Sequence, residues 1–370
     1  MIKLAILEKY PKYFNKYFSG PTRVVFSLCQ EWEKMKTIKV VYLSNTLISL
    51  MQSRFKAINS IKRFLTVQRA RSLAFDIFNL HGISREGVEI AKICRRRRIP
   101  IVYTAHGAAY KEKELGYPYP KWFVTYERKI LSIADKIIAV SDNVKNLLID
   151  KYSLPHDKID VIYNGIDPYF GRRKYRYVNI RKKYNIPAHR KILLNVGGTQ
   201  RVKDIPFLIQ ALKLLKRKDW HLVLVGPKGE DHENVIRKCQ RKLEGHYVFT
   251  GEKKTDELLN FYHQSDLYIT TSKYETYGLT ILEAMSCGLS VIMRSTIGAA
   301  KHLSSIYPEL RKNVFSTPQE LAELINKYLD GNYDIKREYY QKKILTDNSW
   351  ENRAKEYIRI FTQLIEERIQ

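Results

Sequence analysis

Short apolar runs alternate with amphipathic helical stretches along the whole chain, and this alternation restricts the fold more than any other feature. In the first half the strand candidates are residues 2–7, 38–43, 75–80, 101–104, 136–140 and 159–162. Helical stretches at 23–35, 85–97, 122–133 and 142–150 lie between them. The second half repeats the scheme, with strands at 192–196, 222–225, 247–249, 267–271 and 291–293 and helices at 205–215, 233–243, 257–265 and 279–287. Alternation at this spacing predicts α/β architecture, with parallel sheets covered by helices on both faces. At 370 residues the chain exceeds one ordinary domain and fits two. The alternation breaks near residues 165–177, where Ile166-Asp167-Pro168 gives way to a Tyr/Arg-rich stretch. An N-terminal Rossmann-like domain over 1–168 and a C-terminal one over 169–350 are therefore expected. Ligands in such domains bind at the carboxyl ends of the strands, so the cleft between the two domains is the expected site.

Charge adds a second constraint. The formal net charge is +27, from 65 Lys and Arg against 38 Asp and Glu. Such an excess attracts anionic partners over long range. Thermal adaptation, an anionic membrane surface, nucleic acid and an anionic substrate all fit, and membrane proximity is favoured. No apolar run reaches the roughly 18 residues that a membrane-spanning helix needs, and the opening MIKLAILEKY reads as a first strand rather than a leader peptide. The four cysteines (Cys29, Cys94, Cys239 and Cys287) form no CxxC pair. That disfavours a zinc site or a disulfide framework and suits a reducing compartment.

The most informative segment is SDLYITTSKYETYGLTILEAMSCG, residues 265–288. It reads as a strand, a loop and a helix, with Gly288 suited to a left-handed helix terminus. The loop brings Tyr277, Gly278 and Leu279 to a helix N-terminus at a strand's carboxyl end, where free N–H groups and the helix dipole attract a diphosphate. Gly278 permits close approach because it lacks a Cβ. Glu275 in the loop and Glu283 about one turn into the helix can face one ligand, and carboxylates accept pairs of sugar hydroxyls. By spacing alone, a solvated loop carboxylate and a dipole-complementing helix carboxylate account for the pair equally well.

The string SKYETYGLTILEAMSCGLSVI resembles the pattern S-x-x-E-x-F/Y-G-L-x-x-L/I-E-A-M-A-x-G-x-P-V-I of the retaining glycosyltransferases of family four, which have the GT-B fold of two Rossmann-like domains facing across a cleft. The resemblance implies that Glu283 binds ribose hydroxyls, that Glu275 holds sugar hydroxyls near the reacting carbon, and that the backbone at Gly278 and Leu279 holds phosphate or sugar. ILLNVGGTQRVKD (192–204) resembles the family's Gly-Arg…Lys element, which implies diphosphate contact by Lys203. Gly198 occupies the usual Arg position, and Arg201 is the expected substitute. Gly226, ending HLVLVGP, is implied to line the donor pocket, and the loop Glu252–Lys254 to lie by the nucleobase. Lys301 stands where the family often has a Glu, and no role is assigned to it.

In the first half, residues 17–25 resemble the family's G-G-x-x-R-x-V loop, with Gly20 as its second glycine and Ser19 in place of the first. His106 in IVYTAHGAAY matches a family histidine that contacts the donor sugar, which makes it a catalytic candidate beside Glu275. His81 in NLHG also ends a strand, with function and structure equally weighted. Ser141 suits a helix cap, and Asn164-Gly165 a turn. Ser349-Trp350-Glu351 and the helix after it resemble the family's C-terminal segment, which implies that residues 351–370 pack back on the first domain.

The implied activity is transfer of a sugar, with retention, from a nucleoside-diphosphate sugar to a glycan or lipid-linked acceptor. No obligatory cofactor is expected, since Lys203, Arg201 and helix N–H groups would stabilise the leaving diphosphate, and no Asp-x-Asp metal motif supports a bound metal. The segment 51–71 combines apolar and basic residues and suits either an anionic membrane or a solvated face. Arg95–Arg98 suits a phosphate or the helix dipole. The expected location is the cytoplasm, peripheral on the inner face of the cell membrane. The rivals are a GT-B enzyme of other chemistry (an epimerase or a phosphorylase) and a basic nucleic-acid-binding protein. No zinc-finger, RNA-recognition or OB signature supports the latter, so no nucleic-acid partner is expected.

Overall fold

The computed structural model describes residues 1–8, 20–44, 56–117, 119–171, 178–332 and 337–369. They form two compact units, Met1–Gly165 with Trp350–Gln370, and Ile166–Ser349.

The first unit contains strands β1 (Ile2–Glu8), β2 (Ile38–Ser44), β3 (Ile77–His81), β4 (Ile101–Ala105), β5 (Lys136–Ala139) and β6 (Ile159–Val161). Between them run helices α1 (Gly20–Lys34), α2 (Lys56–Ser72), α3 (Arg85–Arg96), α4 (Ala109–Glu114), α5 (Trp122–Ile133) and α6 (Asp142–Tyr152). All pairings are parallel, in the order β2-β1-β3-β4-β5-β6. The near-continuous apolar runs of β3 and β4 follow from burial on both sheet faces. Local chemistry starts the helices. Ser84 accepts the Gly87 N–H at 3.0 Å to cap α3, and Ser141 accepts the Val144 N–H at 3.3 Å to cap α6.

The second unit contains α7 (Ile180–Lys183), β7 (Lys191–Val196), α8 (Ile205–Lys213), β8 (Trp220–Val225), α9 (His232–Leu243), β9 (Tyr247–Phe249) and α10 (Thr255–Gln264). It continues with β10 (Leu267–Thr270), α11 (Leu279–Ser286), β11 (Ser290–Arg294), α12 (Gly298–Ile306), β12 (Val314–Phe315), α13 (Pro318–Leu329) and α14 (Arg337–Asp347). Its sheet is also parallel, in the order β12-β11-β10-β7-β8-β9. The strand β12 and helices α12, α13 and α14 have no counterpart in the sequence reading. Of these, α13 carries a recognisable start, a Thr317–Glu320 capping box.

The last helix, α15 (Trp350–Ile369), returns to the first unit. The Trp32 indole N–H donates to the Ala354 carbonyl at 3.3 Å, and the Trp32 ring meets Tyr357 and Phe361 at 5.7 and 5.9 Å. Removing a buried aromatic of this size costs roughly 3–5 kcal/mol, so α15 is part of that unit's core. A Cβ on Gly165 would fall 2.6 Å from the Trp350 ring, which explains the glycine at this turn.

Each sheet reverses its direction of growth once. In the first unit the reversal lies between β1 and β3, in the second between β7 and β10. Loops leaving adjacent strands diverge at such a point and open a crevice at the carboxyl ends.

Candidate functional site

In the second unit the loops after β7 and β10 flank the reversal point, and both carry expected site residues. After β7 the chain turns at Gly197 and Gly198, then forms a 3₁₀ turn over Arg201–Lys203. A Cβ on Gly197 would lie 3.0 Å from Lys203 Cε, so this glycine makes room for the lysine stem. Lys203 Nζ donates to Glu275 Oε1 at 2.5 Å, and Ser272 Oγ donates to the same oxygen at 3.1 Å. Both charged side chains of the pair are 21% exposed.

The loop carrying Glu275 is held from two sides. On the β7 side, the Thr271 hydroxyl donates to the Lys203 carbonyl at 2.9 Å, and the Lys273 N–H to the Val202 carbonyl at 2.7 Å. Arg294 braces both, donating to the Thr271 carbonyl at 3.0 Å and to Asp204 Oδ2 at 2.8 Å. On the other side, Thr296 donates to the Ser272 carbonyl at 2.8 Å, and the Ala299 N–H to the Tyr277 carbonyl at 2.8 Å. So many backbone ties hold the carboxylate of Glu275 in place before any ligand contributes.

Gly278 caps α11 with φ 108°, a conformation that only glycine adopts without strain. Its Cβ would meet Ile297 Cγ2 at 3.1 Å. Leu279, half-buried, opens the helix. Tyr277 is 1% exposed and its hydroxyl bonds His302 Nδ1 at 3.0 Å, so its side chain supports the loop from within the core rather than offering a surface to a ligand.

Glu283 is fully buried. Its Oε2 accepts from the Tyr262 hydroxyl at 2.8 Å. Burial, followed by the charge of Glu283, holds the Tyr262 hydroxyl far above the usual range, so it remains a donor. Glu275 and Glu283 thus occupy different surroundings, one beside a cation at a strand end and the other inside the unit. Neither is a solvated surface carboxylate. Both still act on Tyr268, whose hydroxyl burial and then the two carboxylates push upward, with Thr280 opposing as its 2.7 Å partner.

Arg201 is exposed, and its N–H is held by Glu230 Oε1 at 2.9 Å. Gly198 has φ 81°, and a Cβ there would fall 2.3 Å from the Pro227 carbonyl oxygen. That contact explains why a larger residue is absent at this position. Gly226 packs against the same turn, its Cβ position lying 2.2 Å from the Gly198 nitrogen. In the loop after β9, the ammonium of Lys253 turns back to the Thr250 carbonyl at 2.5 Å.

In the first unit, parallel pairing of β3 with β4 sets His81 beside Thr104 and brings His106 next to His81. His81 Nδ1 and His106 Nε2 are 3.1 Å apart, and His81 Nε2 lies 2.9 Å from Asn79 Nδ2. Burial pushes the His106 imidazole down to about 4, and burial with the neighbouring His106 pushes His81 down as well. Gly20 is exposed at the first position of α1, and nothing lies within 4 Å of a Cβ built there, so no close approach inside the unit demands a glycine. Residues 17–19 of that loop lie outside the described residues, as do 51–55 of the basic segment and 172–177 of the expected linker.

The arginines at the end of α3 are partly committed to the fold. Arg95 pairs with Asp135 at 2.9 Å, and Arg97 donates to the Ala70 and Leu73 carbonyls, each at 3.1 Å. Sequence reasoning missed Tyr262, Ser272, Arg294 and Asn79. The partners of Tyr262 and Arg294 lie 21 or more positions away in sequence. Although Ser272 bonds Glu275 and Asn79 bonds His81 within three positions, no local pattern marks those pairings.

A family described as "Glycosyl transferases group 1" matches residues 178–345, and one described as "Glycosyltransferase Family 4" matches residues 18–170. An uncharacterized glycosyltransferase of Methanocaldococcus jannaschii is 26% identical over 78% of this chain and 75% of its own length. The O-antigen biosynthesis glycosyltransferase WclY of Escherichia coli is 25% identical over 75% of this chain and 77% of its own. Among solved structures, HepE of Anabaena, in complex with UDP and glucose, superposes with a TM-score of 0.74 at 18% identity, covering 98% of this chain and 100% of its own. That likeness identifies the architecture as GT-B.

Proposed function

The chain belongs to the group 1 and family 4 glycosyltransferases, and from that premise we propose that it moves a sugar, with retention, from a nucleoside-diphosphate sugar to a glycan or lipid-linked acceptor. The observation that carries the donor assignment is the Lys203–Glu275 pair at the reversal point between β7 and β10, beside the N-terminus of α11. Breaking the bond from the anomeric carbon to the diphosphate leaves negative charge on the diphosphate. A cation and helix N–H groups already in place stabilise that charge without reorganising. A diphosphate approaching Lys203 competes with Glu275 for the ammonium, and a displaced Glu275 is left as an acceptor for sugar hydroxyls. Each charge has a partner with or without donor, which avoids the cost of an isolated, partly buried ion.

Glu283 is assigned to the ribose hydroxyls. Tyr262 occupies one of its oxygens and fixes the orientation of the carboxylate. Retention is supported by the resemblance of residues 272–292 to retaining enzymes. The name of WclY supports a glycan or lipid-linked acceptor.

The proposed location is peripheral, on the inner face of the cell membrane. Among the described residues no helix is long and apolar enough to cross a membrane. On α2, Ile61, Phe64 and Leu65 are 57, 60 and 42% exposed and share one helical face, with Lys62, Arg63, Arg69 and Arg71 on the same helix. Exposed apolar residues beside cations suit shallow insertion among anionic headgroups.

A panel of nucleoside diphosphates and nucleotide sugars, followed by thermal shift and transfer assays, tests the activity. Stabilisation by one nucleoside diphosphate is expected, and its absence across the panel overturns the donor reading. Flotation with acidic and neutral liposomes tests the surface. Equal binding to both overturns an electrostatic anchor.

A further inference from the structure

The His81–His106 contact is one link in a longer chain of hydrogen bonds. It starts at Tyr357 on α15, whose hydroxyl reaches Thr104. Thr104 Oγ1 donates to Asn79 Oδ1 at 3.1 Å. Both residues are fully buried. With its carbonyl oxygen occupied in this way, the Asn79 amide turns its NH₂ to His81 Nε2 at 2.9 Å. Amide orientation and histidine tautomer are set by such networks, because each nitrogen must find a complementary partner.

The consequences propagate along the chain. His81 Nε2 accepts from Asn79, so it carries no proton. In a neutral imidazole the other nitrogen then does. His81 Nδ1–H therefore points at His106 Nε2, 3.1 Å away, and this nitrogen must accept. His106 is left with its proton on Nδ1. Burial keeps both rings neutral, since the charged form is the more costly one to desolvate.

We infer that His81 is a positioning residue that holds His106 in the Nδ1–H tautomer, so that His106 acts on a sugar substrate as a hydrogen-bond donor and not as a base. The lone pair that a base would need is occupied by His81. The sugar-facing role rests on the glycosyltransferase reading, whereas the tautomer does not. Thr104 gives its one hydroxyl proton to Asn79, so in the Tyr357–Thr104 contact the Tyr357 hydroxyl, kept protonated by burial, is the donor. The ring of Tyr357 also stacks on His81 at 6.3 Å and 24°. The C-terminal helix thus reaches the strand ends through a relay of protons held in place.

Long-range proton–nitrogen correlation spectra of uniformly nitrogen-15-labelled full-length protein, without any nucleotide, read the tautomer directly. The wild type should show His106 with a protonated Nδ1 and an unprotonated Nε2. His81→Phe should shift His106 toward the Nε2–H form that free imidazole prefers. His81→Gln, whose amide donates in place of the ring, should restore Nδ1–H. Tyr357→Phe keeps the ring packing and should leave a mixture of tautomers. A dominant Nε2–H form in the wild type, or an unchanged Nδ1–H form in folded His81→Phe, overturns the inference. If His81→Phe does not fold, the wild type and Tyr357→Phe decide. None of these spectra depends on transferase activity, so failure of the activity assay and failure of this inference remain separate results.

Discussion

Replacing Gly198 with alanine tests the reason given for a glycine where the family resemblance implies an arginine. Two costs are expected. The φ of 81° places an L-residue in the left-handed region, at roughly 1–2 kcal/mol. The new Cβ also falls 2.3 Å from the Pro227 carbonyl oxygen and 2.9 Å from its Cδ. Both atoms belong to a turn that packs backbone against backbone and has no flexible side chain to yield. Overpacking of this kind costs about 1–3 kcal/mol. Together the two terms amount to about 3 kcal/mol, or a melting temperature lower by roughly 6–12 °C for a unit of this size. Gly245→Ala is the matched control. Its φ is 75°, and nothing lies within 4 Å of its Cβ position. It incurs the first cost alone, roughly 1–2 kcal/mol, or about 2–8 °C. Calorimetry of the wild type and both variants measures the difference. Equal destabilisation of the two refutes the clash argument and leaves the missing arginine without a structural cause.

Lys203→Met removes a charge-assisted partner worth about 1.5–3 kcal/mol, so nucleoside-diphosphate binding should weaken by about tenfold or more in titration calorimetry; unchanged affinity would remove Lys203 from the donor site. Tyr262→Phe deletes the donor to the buried Glu283 carboxylate and should cost about 1.5–3 kcal/mol in urea unfolding, with donor affinity falling as Glu283 loses its fixed orientation. The Glu112 carboxyl is raised to about 7, first by burial, with Tyr119 opposing and Glu127 adding to it. Because its folded value lies above the ordinary 4.5, its stabilising effect is complete below that value and is lost as pH rises through about 7. Glu112→Gln should flatten that decline in melts between about pH 5 and about pH 8, and an identical decline in the variant assigns it elsewhere. Phe64→Asp on α2 should reduce flotation with acidic liposomes while leaving donor binding intact.

Much of this protein was legible before any tertiary contact was known. Strands buried on both faces must be nearly continuous apolar runs, and β4 and β8 are buried along their whole length. Helices begin where a side chain can satisfy the first N–H groups, so Ser141 marks α6. The loop from Ser272 to Gly278 stands out because a helix N-terminus at a strand end requires particular residues at particular spacings. The later elements were harder to see. The strand β12 has only two residues, too short for any period to show.

The arrangement of charge and hydrogen bonding was decided by tertiary structure alone. Lys203 and Glu275 meet across 72 positions because β7 and β10 are neighbours in the sheet, and sheet order is not a local property of either strand. Glu283 becomes a buried carboxylate because α10 presents Tyr262 to it. Gly198 is held to glycine by its φ of 81° and by the turn after β8 that packs against it. The relay from Tyr357 to His106 draws on β3, β4 and α15, and its polarity depends on each buried group finding a partner. Periodicity records which face of an element is apolar. It carries no information about which distant polar group will complete a hydrogen bond, and in this protein those completions set the protonation and orientation of the candidate site.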